Sequence, residues 1–86
     1  MGHQSSFHAP NGGADFLALR TARTGETEIV YDDGVARRLV WRVTEGMTDT
    51  SRLTQALSRA VTQTRVVPAL YSELKKHEIM VEAVIR

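Results

Sequence analysis

Two β-forming apolar runs flank a polar Asp-Asp-Gly sequence along residues 28–44, and this pattern predicts a β-hairpin. Glu28 to Tyr31 is rich in residues that favour strands. Asp33-Gly34 comes next, a pair typical of a tight turn in which both residues need a positive φ angle. Val35 to Thr44 is then predicted to be the returning strand.

Side chains of the returning strand point alternately to its two faces. One face carries the bulk and is predicted to be packed: Val35, Arg37, Leu39, Trp41 and Val43. The other face is predicted to contact solvent: Ala36, Arg38, Val40, Arg42 and Thr44.

A helical repeat of apolar residues follows the hairpin and predicts an amphipathic helix over residues 50–64. Its members are spaced 3, 1, 3 and 1 positions apart: Leu53, Ala56, Leu57, Ala60 and Val61. The preceding residues, from Thr48 to Ser51, offer several N-cap side chains.

Pro68 decides how the chain continues. It either begins a second helix over residues 68–77, where its missing N–H costs nothing, or kinks one long helix at a cost of about 3 kcal/mol. Val67 is pushed toward extended geometry by the proline ring, which favours two helices. With two helices the last strand runs antiparallel to Val35–Thr44, and with one long helix it runs parallel.

The chain finishes with an apolar run that predicts a strand over residues 79–85. Two further segments complete the organisation. Residues 16–23 suit either a strand or a short helix, and we favour a strand. Residues 1–14 are rich in glycine and serine, and we predict a flexible tail before a single globular domain over residues 15–86. The predicted fold class is α+β: a small antiparallel sheet with two helices packed on one face.

Composition narrows the function classes. The chain has 86 residues, is 42% hydrophobic and carries a net charge of +1, so it has no overall attraction to nucleic acid or anionic membranes. With no cysteine, disulfides, thiolate metal sites and a cysteine nucleophile are excluded. No secretory signal and no apolar run of membrane-spanning length is present, so we expect a cytoplasmic protein without a membrane partner.

No motif for catalysis, cofactor binding or metal binding emerges from the sequence. Glu73 and His77 would face each other on a helix, but no nucleophile joins them. Asp32 and Asp33 precede a glycine, where their ordinary role is turn formation. The glycines form no phosphate-binding loop. We therefore expect neither an enzyme nor a cofactor.

Two surfaces remain as candidates for binding. The first is the open sheet face around Arg38, Val40 and Arg42. The second is the last strand, with Val81, Ala83 and Ile85 on one face. At a sheet edge this strand would suit homodimerisation or addition of a partner's strand, because it lacks the lysines and prolines that block edge pairing. In the middle of the sheet it would simply be buried.

These surfaces favour a small protein-interaction module that associates with itself or with another protein. The alternative is a nucleic-acid-binding accessory protein that uses the face of Arg38 and Arg42. That alternative is weakened because such surfaces usually add aromatic side chains for base stacking, and here only Tyr31 is available.

Overall fold

A computed structural model describes residues 5–8, 15–44 and 50–84 of the chain. Five strands and two helices follow one another in the order β1 (Ser5–His8), β2 (Phe16–Thr21), β3 (Thr27–Asp32), β4 (Arg38–Val43), α1 (Ser51–Ala60), α2 (Val66–Lys76) and β5 (Val81–Ala83).

The predicted α+β fold class is confirmed. All five strands form one antiparallel sheet in the order β1-β2-β3-β4-β5, and both helices lie in the connection between β4 and β5. β5 runs antiparallel to β4, as expected for two helices rather than one.

The core lies between the helices and one face of the sheet. Odd-numbered residues of the strands supply the sheet side of this core: Leu17, Leu19, Ile29, Tyr31, Trp41 and Val43. The helices and their flanking residues supply the other side: Leu53, Ala56, Leu57, Ala60, Val61, Val66, Leu70, Leu74 and Ile79. We call this the helix face of the sheet and the opposite one the far face.

The segment over residues 16–23 is a strand, as favoured above, and ends at Thr21. Strand β1 was not predicted. It falls within the stretch assigned to a flexible tail, yet Phe7 pairs opposite Leu17 and packs partly against the core. One bulky side chain at the right register supplies the apolar contact for this edge strand. The rest of the predicted tail lies outside the described residues.

The hairpin is present, but its turn is longer than predicted. Asp32 pairs with Arg38, so five residues form the loop, and β4 begins at Arg38 rather than Val35. Gly34 has a φ of +79°, whereas Asp33 is not in the positive region. The prediction that Val35 and Arg37 pack is wrong: both lie in the loop and are exposed, Val35 by 88%.

The Asp33 carboxylate explains the longer loop. Its Oδ1 accepts hydrogen bonds from the backbone N–H groups of Val35 (2.8 Å), Ala36 (3.1 Å) and Arg37 (3.1 Å). The side chain thereby satisfies three donors that a two-residue turn would not leave open.

Two helices form, as favoured from the sequence, but the break between them falls at residues 61–65 rather than at Pro68. α1 ends at Ala60 rather than residue 64, and α2 begins two residues before Pro68. Pro68 is therefore the third residue of α2, still within the first turn, where its missing N–H leaves no bond unmade. Val67, the residue before the proline, is thus helical despite its preference for extended geometry, and its neighbour Val66 is buried in the core.

Glu78 terminates α2 in the left-handed region, with a φ of +56°. Its N–H donates to the Lys75 carbonyl at 3.1 Å, and the Ile79 N–H donates to the Leu74 carbonyl at 2.9 Å. This is the Schellman arrangement that ends many helices, with glutamate where glycine is usual.

Candidate interaction surface

The last strand, β5, lies at an edge of the described sheet and is not the buried central strand that was its alternative. β5 neighbours β4 on one side and no other described strand on the second side. It is shorter than the predicted strand over residues 79–85, and Ile85 lies outside the described residues. The described strand contains neither lysine nor proline.

Hydrogen bonds on either side of the β4–β5 pairing reveal which backbone groups of β5 are free. The Thr44 N–H donates to the Met80 carbonyl at 3.0 Å, and the Val84 N–H donates to the Val40 carbonyl at 2.9 Å. Hydrogen-bonded residues alternate along an antiparallel ladder, so even-numbered residues of this segment face β4.

The odd residues of β5 therefore direct their backbone groups away from the sheet. Val81 and Ala83 each turn one N–H and one C=O outward, and no described residue pairs with these groups. Their side chains lie on the helix face, where Val81 packs partly against the core and Ala83 is exposed. We call these two residues the β5 edge.

The same alternation continues to the opposite edge of the sheet. The backbone hydrogen bonds Asp33–Arg37 and Ala22–Glu26 show which residues are the hydrogen-bonded pairs between β3 and β4 and between β2 and β3. On β1, Ser6 and His8 then direct their backbone groups outward. The exposed Ser6 is thus the counterpart of Ala83 at the other edge.

A row of charges with alternating sign crosses the far face. It runs over four neighbouring strands through Arg20, Glu28, Arg42 and Glu82, which are cross-strand partners in this order. Arg20 Nε lies 2.8 Å from Glu28 Oε1, and Arg42 Nη1 lies 2.8 Å from Glu82 Oε1. The row ends on a carboxylate at the β5 edge.

The structure separates the roles of the two predicted arginines. Arg42 is half-buried, its Nη1 bonds Glu82, and its Nε lies 2.9 Å from Glu26 Oε2 without the alignment of a hydrogen bond. Arg38 is exposed and has no ion pair with a described residue. The positive charge of Arg42 is therefore matched by carboxylates, whereas Arg38 has no carboxylate ion-pair partner among the described residues.

The far face is less open than the alternation predicts. Ala18, Val30 and Val40 lie side by side on it, the first two fully buried and the third half-buried. The expectation of a solvent-facing surface holds for Arg38 and Thr44 but not for the half-buried Val40 and Arg42. Val40 and Arg42 thus offer little free surface to a partner.

A recess of about 390 Å³ opens at the corner of β4, the end of β5 and α2. Its lining is mostly apolar: Arg38, Leu39, Val40, Trp41, Tyr71, Ala83 and Val84. The recess joins Arg38 to Ala83, so the two surfaces predicted separately from the sequence are adjacent in the fold. Tyr71 lines this recess although no sequence pattern assigns it to a site.

Among the described residues, two titratable groups have displaced pKa values. Burial, together with a hydrogen bond to Asp15 at 3.1 Å, raises the pKa of the Tyr31 hydroxyl. The backbone N–H groups of Val35 and Arg37 hold the pKa of Asp33 below its ordinary value. The first shift arises mainly from burial and the second from backbone hydrogen bonds, and the two groups do not converge on one site.

The described residues contain no group of three or more His, Asp or Glu side chains close enough to hold a metal ion. Glu73 lies 3.6 Å from Lys76 Nζ rather than forming the considered pair with the His77 side chain. Neither described helix has the length and apolar character that a membrane span requires.

Comparison with protein-family models, curated proteins and solved structures found no match.

Proposed function

We propose that the protein is a non-enzymatic, cytoplasmic interaction module that adds a partner's strand to the β5 edge. The single observation that carries this proposal is the outward direction of the backbone groups of Val81 and Ala83. Four hydrogen-bonding groups at an unguarded edge form a template for another strand. A second copy of the chain is the first partner to test, because it presents the same edge.

Among the described residues of this segment, only Val81 and Ala83 supply outward backbone groups, so we expect a weak, reversible complex. Interfaces at the low end of the size range belong to transient encounters. The exposed ring of Tyr71 and the recess beside Ala83 add apolar contact area next to the edge.

Proline at position 83 tests the edge without breaking the sheet. The Ala83→Pro substitution removes an outward N–H, whereas the bonds to β4 use Met80, Glu82 and Val84. Ser6→Pro makes the same change at the opposite edge and is the matched control.

Sedimentation velocity from about 10 µM to about 1 mM should show a wild-type mass that rises with concentration. Ala83→Pro should remain monomeric with an unchanged thermal midpoint, and Ser6→Pro should behave as wild type. A wild-type chain that stays monomeric throughout would contradict self-association. An Ala83→Pro variant that associates normally would contradict the β5 edge as the interface.

A further inference from the structure

The alternating charge row indicates which charge a strand added at the β5 edge should carry opposite Glu82. Across β2, β3, β4 and β5 its signs are positive, negative, positive and negative. A strand added to β5 continues the row, and the side chain placed opposite Glu82 is the next member. The carboxylate of Glu82 already bonds Arg42, but its side chain is still 56% exposed.

We infer that the β5 edge selects a partner strand with a lysine or arginine opposite Glu82. This inference rests on the proposed function, since it assumes that a strand pairs with Val81 and Ala83. In an antiparallel pair, Glu82 then faces the residue midway between the two that bond Val81 and Ala83. Opposite charges at such positions stabilise the pair and like charges destabilise it.

A second copy of the chain meets this requirement poorly. The antiparallel pairing that uses all four outward groups bonds Val81 to Ala83 of the other copy and places Glu82 directly opposite Glu82 of the other copy. Two carboxylates at that spacing repel each other. This repulsion lowers the affinity of one copy for another, whereas a strand with a central cation binds more tightly.

Side chains on either side of the central cation lie on the helix face. There they meet Val81, Ala83 and the exposed ring of Tyr71, which favours short apolar residues at these two places. The inferred partner is an extended segment in which a cation stands between two apolar residues.

Three labelled peptides of alternating valine and threonine test this selection. They carry lysine, glutamine or glutamate at the centre, between two valines, and fluorescence anisotropy against the intact chain measures their dissociation constants. We expect the lysine peptide to bind about threefold more tightly than the glutamine peptide, and the glutamate peptide about threefold more weakly. Added salt should reduce both differences.

The Glu82→Gln variant is the matched control, since it keeps the shape of the side chain and removes its charge. It should bind all three peptides with similar affinity, and it should self-associate more tightly than wild type in sedimentation. If wild type binds the three peptides equally and Ala83→Pro abolishes that binding, the selection by Glu82 is wrong and strand addition at β5 stands. If no peptide binds, this inference fails, and the sedimentation experiment decides the proposed function separately. If Ala83→Pro leaves peptide binding unchanged, strand addition at β5 is wrong and this inference fails with it.

Discussion

Trp41 on β4 donates a hydrogen bond from its Nε1 to the hydroxyl of Tyr71 on α2, at 2.9 Å. The two rings meet edge to face, with centroids 5.8 Å apart. Trp41 is only 2% exposed, whereas Tyr71 is 51% exposed. Tyr71 therefore satisfies a buried indole from the surface and links the helix layer to the strand beside β5.

Removal of that hydroxyl should destabilise the fold. Tyr71→Phe keeps the ring contact but leaves the indole N–H without its acceptor, so the free energy of unfolding should fall by about 1–2 kcal/mol. Urea denaturation followed by tryptophan fluorescence measures the change. Ser72→Ala, an exposed hydroxyl deletion on the same helix, should alter stability by less than about 0.5 kcal/mol. An unchanged midpoint for Tyr71→Phe would mean that water replaces the phenol.

Glycine at position 78 should stabilise the protein. Glu78 holds a φ of +56°, a conformation that costs about 1 kcal/mol for a residue with a Cβ. Glycine removes this strain but loses more conformational freedom on folding, so we expect a net gain of about 0.5 kcal/mol. Thermal and urea denaturation measure it. Glu78→Ala, which retains the Cβ, should show no gain, and an equal gain in both variants would assign the effect to lost charge.

Asp33 should make the hairpin loop sensitive to acid. Its folded pKa lies below the ordinary value of 3.8, mainly because of the Val35 and Arg37 amides. A lowered folded pKa gives stability that is present above pH 3.8 and is lost as pH falls through the folded pKa. Backbone amide shifts of Val35 to Arg37, followed by NMR from neutral to acid pH, should report this transition. Asp33→Asn should abolish the transition at these amides, and its persistence would assign the titration to another group.

The nucleic-acid alternative predicts salt-sensitive binding on the far face. Because Arg42 is matched by two carboxylates, we expect a random single-stranded oligonucleotide to leave the ¹⁵N–¹H spectrum unchanged at moderate salt. Shifts that cluster on Arg38, Val40 and Arg42, weaken with salt and disappear in Arg38→Glu would favour this alternative over the interaction module.

Local patterns predicted most of the fold because they report local geometry. The apolar spacing from Leu53 to Val61 and the β-rich run around Val30 each identify an element without knowledge of its neighbours. The sequence did not predict β1, because its one bulky apolar residue, Phe7, is stabilised by pairing opposite Leu17 on another strand. The length of the loop was not predicted, because Asp33-Gly34 favours a tight turn. The three hydrogen bonds from backbone N–H groups to the Asp33 carboxylate are evident only in the structure.

The sequence predicted which residues belong to the candidate surface but not how they are arranged in the fold. The sequence points to Arg38, Arg42 and the last strand, yet the neutralisation of Arg42 depends on the register that brings Glu82 to it from 40 positions away. The free edge likewise depends on strand order. Once the register is known, the alternation from Arg20 to Glu82 can be followed directly along the sequence.

The β4–β5 pairing has a consequence for folding order. β1 to β4 form a meander of sequential neighbours, whereas β5 must close a loop that contains both helices before Glu82 reaches Arg42. Contacts between residues far apart in sequence carry the largest entropic cost and form late. We expect amide hydrogen exchange to be fastest in the β4–β5 ladder, with the meander protected longer. The strand that offers its edge to a partner is then also the strand that detaches first, which makes exchange of β5 between two copies a second route to a dimer.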